Sequence, residues 1–283
     1  MLPVIIRTLL CEIRVWPCDE AAANAFAFVR AAPNMGEPAS EPIEIAIEPL
    51  GSFYRMALPD GSNPEGSLQY LVSRFGRFLG AQVERETGRY PLLRAASVVC
   101  ERSRGLLIGS AGSGKTALVL RLMMEGGGVE GDEVVIVREK DVLAVPRTLR
   151  VRQPALRFAG PLADAIVASP SSEDWHDRVT YSVDPSICGK PWHIDAGPAK
   201  LLIFLEPNHG GTSILTSMGR EEAFAGLVDM SLFPKEARGA AAAALRMAAI
   251  RARCLKLSLG DLDRAVWHLR RAFSEAGNRA PSS

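Results

Sequence analysis

Residues 106–124 decide the fold: Leu-Leu-Ile-Gly-Ser-Ala-Gly-Ser-Gly-Lys-Thr-Ala-Leu-Val-Leu-Arg-Leu-Met-Met. A short apolar run typical of a buried strand enters a glycine-rich turn, and a run of helix-forming residues leaves it. Residues 109–116 have the spacing of a phosphate-binding loop, with a glycine at each end of the turn followed by lysine and threonine. A strand before the loop and a helix after it are the context in which this motif binds nucleotides. The sequence therefore predicts an α/β fold with a nucleotide-binding core.

Each part of this loop has a predicted role in holding a nucleoside triphosphate. Lys115 can reach the β- and γ-phosphates, and the Thr116 hydroxyl is placed to bind Mg²⁺. Glycines let backbone N–H groups approach the phosphate oxygens closely. The predicted nucleotide-binding residues are Gly109, Ser110, Ala111, Gly112, Ser113, Gly114, Lys115 and Thr116. A dinucleotide fingerprint does not fit, because lysine and threonine follow the last glycine of the turn. The predicted cofactors are ATP and Mg²⁺.

Composition excludes several classes of partner. The 283 residues carry 33 basic and 32 acidic side chains, so no global field attracts nucleic acid or an anionic membrane. Five scattered cysteines without a Cys-x-x-Cys pair indicate neither a disulfide framework nor a zinc site. The apolar N-terminus lacks the features of a signal peptide, and we expect a cytoplasmic protein. Local basic groups, at 147–152 and at Arg157, fit either an anionic ligand or a solvated surface.

The pattern along the chain predicts three parts. Residues 1–89 form a small strand-rich region with apolar runs at 4–15 and 43–47, a Pro/Gly-containing stretch at 31–42 and one amphipathic helix at about 65–86. Residues 90–277 form the nucleotide-binding core, and 278–283 a disordered tail. Within the core we predict a buried strand at 201–205, helices at 220–231 and 235–252, a strand at 254–258 and a final helix from Asp261. Residues 160–195 are predicted to be irregular.

Four segments of the core share their order with a known family. They are the hairpin at 92–99 that leads into the loop, the segment 128–136, the strand 202–207 and the segment 255–261 before the last helix. Together with the loop they resemble HPr kinase/phosphorylase and its smaller relatives, over about residues 91–273. The resemblance implies the P-loop architecture shared with phosphoenolpyruvate carboxykinases, and phosphoryl transfer to a serine of a protein or peptide. Relatives can be oligomeric, so it also implies a possible homo-oligomer.

Two positions depart from the family pattern. Gly131-Asp132 stands where the family has two consecutive aspartates, which leaves Asp132 as the expected metal ligand beside Thr116. Arg94 stands where the family has a histidine, and an arginine can clamp a phosphate but cannot shuttle a proton. Another carboxylate could replace the missing base, with Glu130, Glu133 and Glu206 as candidates. Glu206 is preferred because it ends a buried strand, where many P-loop proteins place such a group.

The predicted catalytic residues are therefore Lys115, Asp132, Arg94 and Glu206. The leading hypothesis is a serine kinase acting on a protein or peptide. Two alternatives stay open from the residues alone. One is a catalytically impaired nucleotide-binding scaffold in a peptide-modification pathway, and the other is a small-molecule kinase, because the same loop serves many reactions.

Overall fold

A computed structural model of the chain describes residues 1–29, 41–173 and 178–278. The strands are β1 Val4–Arg7, β2 Glu12–Trp16, β3 Ile43–Leu50, β4 Phe53–Met56, β5 Glu65–Gly66, β6 Leu92–Leu93, β7 Ala95–Cys100, β8 Ser103–Ile108, β9 Gly128–Gly131, β10 Val135–Val137, β11 Val142–Ala144, β12 Leu149–Arg152, β13 Ser171–Glu173, β14 Val179–Val183, β15 Leu201–Pro207, β16 Ile214–Ser217, β17 Ser231–Leu232 and β18 Arg253–Leu259. The helices are α1 Glu20–Ala27, α2 Leu68–Thr87, α3 Lys115–Met124, α4 Ala163–Val167, α5 Arg220–Asp229, α6 Arg238–Arg251 and α7 Leu262–Gly277. The fold is mixed α/β with several sheets.

The central sheet has six strands in the order β16-β18-β15-β8-β7-β9. Its three middle strands, β18, β15 and β8, run parallel, with Phe204 of β15 opposite Ile108 of β8. The flanking strands β16, β7 and β9 each pair antiparallel with their neighbours. The carboxyl ends of the parallel strands meet at one edge, which is where ligands bind in open α/β sheets. The chain leaves β8 at this edge to form the 109–114 loop.

Helices cover both faces of this sheet. Alternate residues of β8 separate the two cores, because Leu106 and Ile108 face one side and Leu107 faces the other. The core that contains Leu107 is closed by α3 and α7, and the opposite core is closed by α5 and α6. The predicted strand at 201–205 is confirmed within β15, and all five of its apolar residues are buried, as a strand between two helical layers requires.

Two small sheets flank the central one. The first has the order β11-β10-β6-β17, and the second has the order β12-β14-β13. The second sheet carries β12 next to α3, so the basic segment at 147–152 lies near the loop.

The N-terminal part of the chain has a core of its own. A five-stranded sheet in the order β1-β2-β3-β4-β5 packs with α1 and α2. The helix α2 confirms the prediction at 65–86, since Ser67 caps its first turn and apolar residues recur along one face. The rings of Phe26 on α1 and Phe75 on α2 meet edge to face, with centroids 5.4 Å apart.

The prediction of irregular structure at 160–195 is wrong in part. The segment contains α4 and the antiparallel pair β13–β14. Val179, Tyr181 and Val183 alternate along β14 and pack on the core beside α3, a period-two pattern typical of a half-buried strand. Residues 31–40 of the predicted Pro/Gly stretch and residues 279–283 of the predicted tail lie outside the described residues. In the described part of the chain, no helix is both long and apolar enough to cross a bilayer.

Candidate functional site

The 109–114 loop connects β8 to α3 at the carboxyl edge of the central sheet. Gly114 occupies the N-cap position of α3 with φ +89° and ψ 7°, in the left-handed region that favours glycine. A Cβ atom on Gly114 would also lie 2.6 Å from Cδ2 of Leu259 on β18. Any other residue at this position would adopt an unfavourable backbone conformation, and its Cβ would clash with the Leu259 side chain. The amino end of α3 points its free N–H groups into the loop.

The Lys115 side chain folds back over the loop. Its Nζ donates hydrogen bonds to the carbonyl oxygens of Gly109, at 2.6 Å, and Ser110, at 2.9 Å. Burial lowers the pKa of the Lys115 ammonium, Asp132 acts in the opposite direction, and Arg94 lowers it further. The ammonium is thus held at the mouth of the loop by neutral carbonyls, which a more negative group can replace.

Thr116 and Asp132 meet across the start of α3. Thr116 Oγ1 donates a hydrogen bond of 3.0 Å to Asp132 Oδ2. The other oxygen, Asp132 Oδ1, is buried and has no hydrogen-bond partner among the described residues. Burial raises the pKa of Asp132 to about 7, and Glu133 acts in the same direction, while Thr116 and Lys115 oppose the shift. Burying a carboxylate oxygen without a partner costs free energy of folding unless a ligand interacts with that oxygen.

These residues fit a magnesium ion. Mg²⁺ prefers hard oxygen ligands, and it is commonly held by one or two protein groups together with nucleotide phosphates and water. Thr116 Oγ1 and the unpartnered Asp132 Oδ1 are two such oxygens at the start of α3. Within residues 1–29, 41–173 and 178–278, no cluster of three or more His, Cys, Asp or Glu side chains could hold a metal by itself. The donor set therefore suits a metal that arrives with a nucleotide.

Two cavities flank the loop. The first has a volume of about 610 Å³ and includes apolar side chains from Pro207, Leu259 and Leu262. The second has a volume of about 620 Å³ and is lined by Lys115, Thr116 and Asp132 among others. Both cavities are bordered by Gly112, Gly114, Ala117, Arg157 and Phe158, so the loop, the start of α3 and the 3₁₀ helix after β12 lie between them. Each volume is within the range of small-molecule sites.

Arg94 and Glu133 also line the second cavity. Arg94 follows β6, and its backbone N–H donates to the Met230 carbonyl at 2.9 Å, which fixes the chain at the cavity wall. Glu133 is adjacent to Asp132, and its carboxylate lies 3.7 Å from the Arg147 guanidinium. The structure thus brings Lys115, Thr116, Asp132 and Arg94 to one cavity and adds Glu133 as a second carboxylate.

The structure does not bring Glu206 to either cavity. Its side chain is 57% exposed at the end of β15, and Oε1 pairs with Lys256 Nζ at 2.6 Å. Glu130, another candidate for the missing base, is buried on β9, the strand that pairs with β7. Its carboxylate accepts two hydrogen bonds of 2.7 Å from Arg104 and one of 2.5 Å from Ser97. Glu130 therefore stabilises the sheet and has no free position for a substrate.

Three further arginines line the second cavity, namely Arg150 and Arg152 on β12 and Arg157 on the 3₁₀ turn after it. From the sequence alone, this basic segment could either bind an anionic ligand or form a solvated surface. The arginines at 150 and 152 are two residues apart, a spacing that places both on one face of a strand. That spacing was the available signal, but only the tertiary fold shows which cavity the strand borders.

Comparison with known proteins adds little. No family model matches the chain, and no curated protein matches it. Among solved structures, the chain is similar to the Hpr(Ser) kinase/phosphatase from Coxiella burnetii, with 11% sequence identity and a TM-score of 0.31. The match covers 65% of this chain and 98% of that chain. A similarity this low says nothing about the function of the site, which rests on the geometry of the site itself.

Proposed function

We propose that the protein is an ATP-dependent kinase that transfers the γ-phosphate to a serine hydroxyl of a protein or peptide. The observation that carries this proposal is the meeting of Lys115, Thr116 and Asp132 at the loop, with one Asp132 oxygen buried and unpartnered among the described residues. A strand, a glycine-rich turn and a helix present Lys115 and Thr116 in the order that a triphosphate requires, and Asp132 reaches Thr116 from the end of β9. The first cavity provides space for the base of the nucleotide, and the second provides space for its phosphates and for an acceptor.

The nucleotide is proposed to lie across the loop. Its base occupies the first cavity, against the apolar side chains of Pro207, Leu259 and Leu262. Its phosphates follow the loop N–H groups into the second cavity, where Lys115 exchanges its carbonyl partners for phosphate oxygens. Thr116 and Asp132 would hold Mg²⁺, which neutralises phosphate charge when it is bound.

Transfer needs positioning, charge neutralisation and removal of one proton. The acceptor oxygen forms a bond to the γ-phosphorus while the bond from that phosphorus to the β,γ-bridging oxygen breaks, so ADP leaves with the bond's electron pair. Arg94 lines the second cavity, and its proposed role is to contact the transferred group. The proton of the acceptor hydroxyl passes to Glu133, which is the partly exposed carboxylate of the second cavity.

The test is transfer of labelled γ-phosphate from Mg-ATP into peptides and proteins extracted from the native cell. Lys115→Ala should lower transfer by roughly 100-fold or more, because it removes a charge that neutralises the transferring group. It should also weaken Mg-ATP binding in a calorimetric titration. Lys235→Ala is the matched control, since Lys235 is exposed and lines neither cavity.

Three outcomes separate the alternatives. Label in a discrete acceptor with wild type and with Lys235→Ala, but not with Lys115→Ala, supports the kinase. Unchanged ATP affinity in Lys115→Ala would show that the loop is not the nucleotide site. Bound ATP with no labelled macromolecule would overturn the proposal in favour of a nucleotide-binding scaffold, or of a small-molecule kinase whose acceptor is missing from the extract.

A further inference from the structure

We propose that the second cavity selects an acidic acceptor, namely a peptide or protein segment with carboxylate side chains close to the serine that is phosphorylated. This inference rests on the proposed kinase function and adds the chemical class of its acceptor. The observations that carry it are the charge of the cavity, the lack of a side-chain hydrogen bond or ion pair for Arg152 and Arg157 among the described residues, and the spacing of Arg150 and Arg152 along β12.

The cavity has a local excess of positive charge, although the net charge of the whole chain is close to zero. Its lining contains five cationic side chains, Arg94, Lys115, Arg150, Arg152 and Arg157, and two carboxylates, Asp132 and Glu133. The whole chain has a formal net charge of +1. Attraction of an anion to the cavity is therefore a local property of this site and does not follow from the charge of the protein.

A nucleotide does not account for all of these cations. Lys115, Arg94 and the proposed Mg²⁺ suffice for the phosphates and for the transferred group. Arg152 then remains exposed in the second cavity, and Arg157 remains exposed where the second cavity borders the first. Among the described residues neither side chain forms a hydrogen bond or an ion pair, and the Arg157 guanidinium lies 4.6 Å from the centre of the neighbouring Phe158 ring. The Arg152 guanidinium, which has neither of these contacts and lies beside the proposed transfer site, fits recognition of a carboxylate.

The arrangement of the arginines favours an extended chain over one compact anion. Arg150 and Arg152 lie on one strand two residues apart, which corresponds to roughly 6.6–6.8 Å along the strand. Arg157 lies in the 3₁₀ helix that follows β12 and lines the same cavity. An extended acceptor peptide has the same repeat, so carboxylates at alternate positions can face Arg152 and Arg150. Arg150 uses one N–H donor on the Phe28 carbonyl and keeps its other donors. A small dianion would instead need the guanidinium groups to converge on one point.

Direct binding of designed peptides tests this without any need for turnover. The probes are two fluorescein-labelled serine peptides of equal length, one with aspartates at alternate positions around the serine and one with asparagines there. Fluorescence anisotropy gives the Kd of each with the Mg²⁺ complex of a non-hydrolysable ATP analogue present. The aspartate peptide should bind wild type roughly tenfold more tightly, as expected for charge-assisted hydrogen bonds.

The variant Arg152→Gln should reduce this preference to about twofold or less, because it keeps a polar side chain but removes the charge and the fork of donors. Its affinity for the nucleotide analogue should not change. Arg246→Gln is the matched control, since Arg246 is exposed on α6 and lines neither cavity. This variant should keep the full preference.

Equal binding of the two peptides to wild type would overturn the inference, as would a preference that Arg152→Gln leaves intact. Loss of nucleotide affinity in Arg152→Gln would also overturn it and would assign this arginine to the phosphates. These failures differ from a failure of the proposed function, which would appear as unchanged ATP binding in Lys115→Ala. Preference for the aspartate peptide that is lost only in Arg152→Gln supports an acidic acceptor.

Discussion

Glu133 and Glu206 have the same side chain but lie in different surroundings, and this difference decides which one is the better candidate for the base. Glu133 lines the cavity that contains Lys115 and Asp132, whereas Glu206 forms an exposed ion pair with Lys256. We expect Glu133→Gln to lower kcat by roughly 10²–10⁴-fold, the usual contribution of general base catalysis, with little change in ATP affinity. Single-turnover transfer of labelled phosphate measures the effect on the chemical step.

Glu206→Gln is the matched control for that experiment, and it should transfer phosphate at the wild-type rate. The opposite result, a slow Glu206→Gln and a normal Glu133→Gln, would restore the residue that the strand-end pattern favoured. The sequence alone could not separate the two. Glu206 follows an apolar run and Glu133 precedes one, and only the tertiary fold shows which carboxylate borders the 109–114 loop.

At the scale of elements, the packing of β9 against β11 explains why glycine occupies position 131. A Cβ atom there would lie 3.2 Å from the Ala144 Cβ and 3.4 Å from the Val145 carbonyl oxygen. We expect Gly131→Asp to destabilise the protein by about 3 kcal/mol or more, because it forces a charge against an apolar strand and a carbonyl. Thermal unfolding should show a melting temperature lower by several degrees.

Gly239→Asp is the control for that variant. Gly239 lies in the first turn of α6 with open space around its Cα, so an aspartate there should be neutral or slightly stabilising. A Gly131→Asp protein with a normal melting temperature and faster phosphate transfer would contradict this account. It would show instead that the missing carboxylate limits the reaction.

The elements that the sequence predicted are those whose signal is local. The amphipathic helix α2, the buried strand β15 and the helix α7 with its cap Asp261 each follow from periodicity or capping within one segment. The 109–114 loop can also be predicted from the sequence, because its residues are contiguous. The short strands β9 and β13 were missed because they are stabilised by pairing with partners, and β13 has only three polar residues.

At the scale of the whole molecule, Arg150 connects the N-terminal part of the chain to the proposed site. Its guanidinium donates a hydrogen bond of 2.6 Å to the Phe28 carbonyl oxygen and lies 4.0 Å from the centre of the Phe28 ring. The same side chain lines the second cavity. The two residues are 122 positions apart, so no local pattern could have predicted the contact.

From this contact we predict how local unfolding of the N-terminal part depends on Arg150. Arg150→Met keeps an unbranched stem but removes one charge-assisted hydrogen bond and one cation–π contact, together worth about 2 kcal/mol. Amide hydrogen exchange in and after α1, at residues 22–29, should therefore become roughly 10–30-fold faster, while exchange in α5 and α6 stays unchanged. Arg246→Met controls for the loss of one arginine. Equal protection of residues 22–29 in wild type and Arg150→Met would mean that the Phe26–Phe75 core alone holds this region, and that the cavity arginine does not couple it to the proposed site.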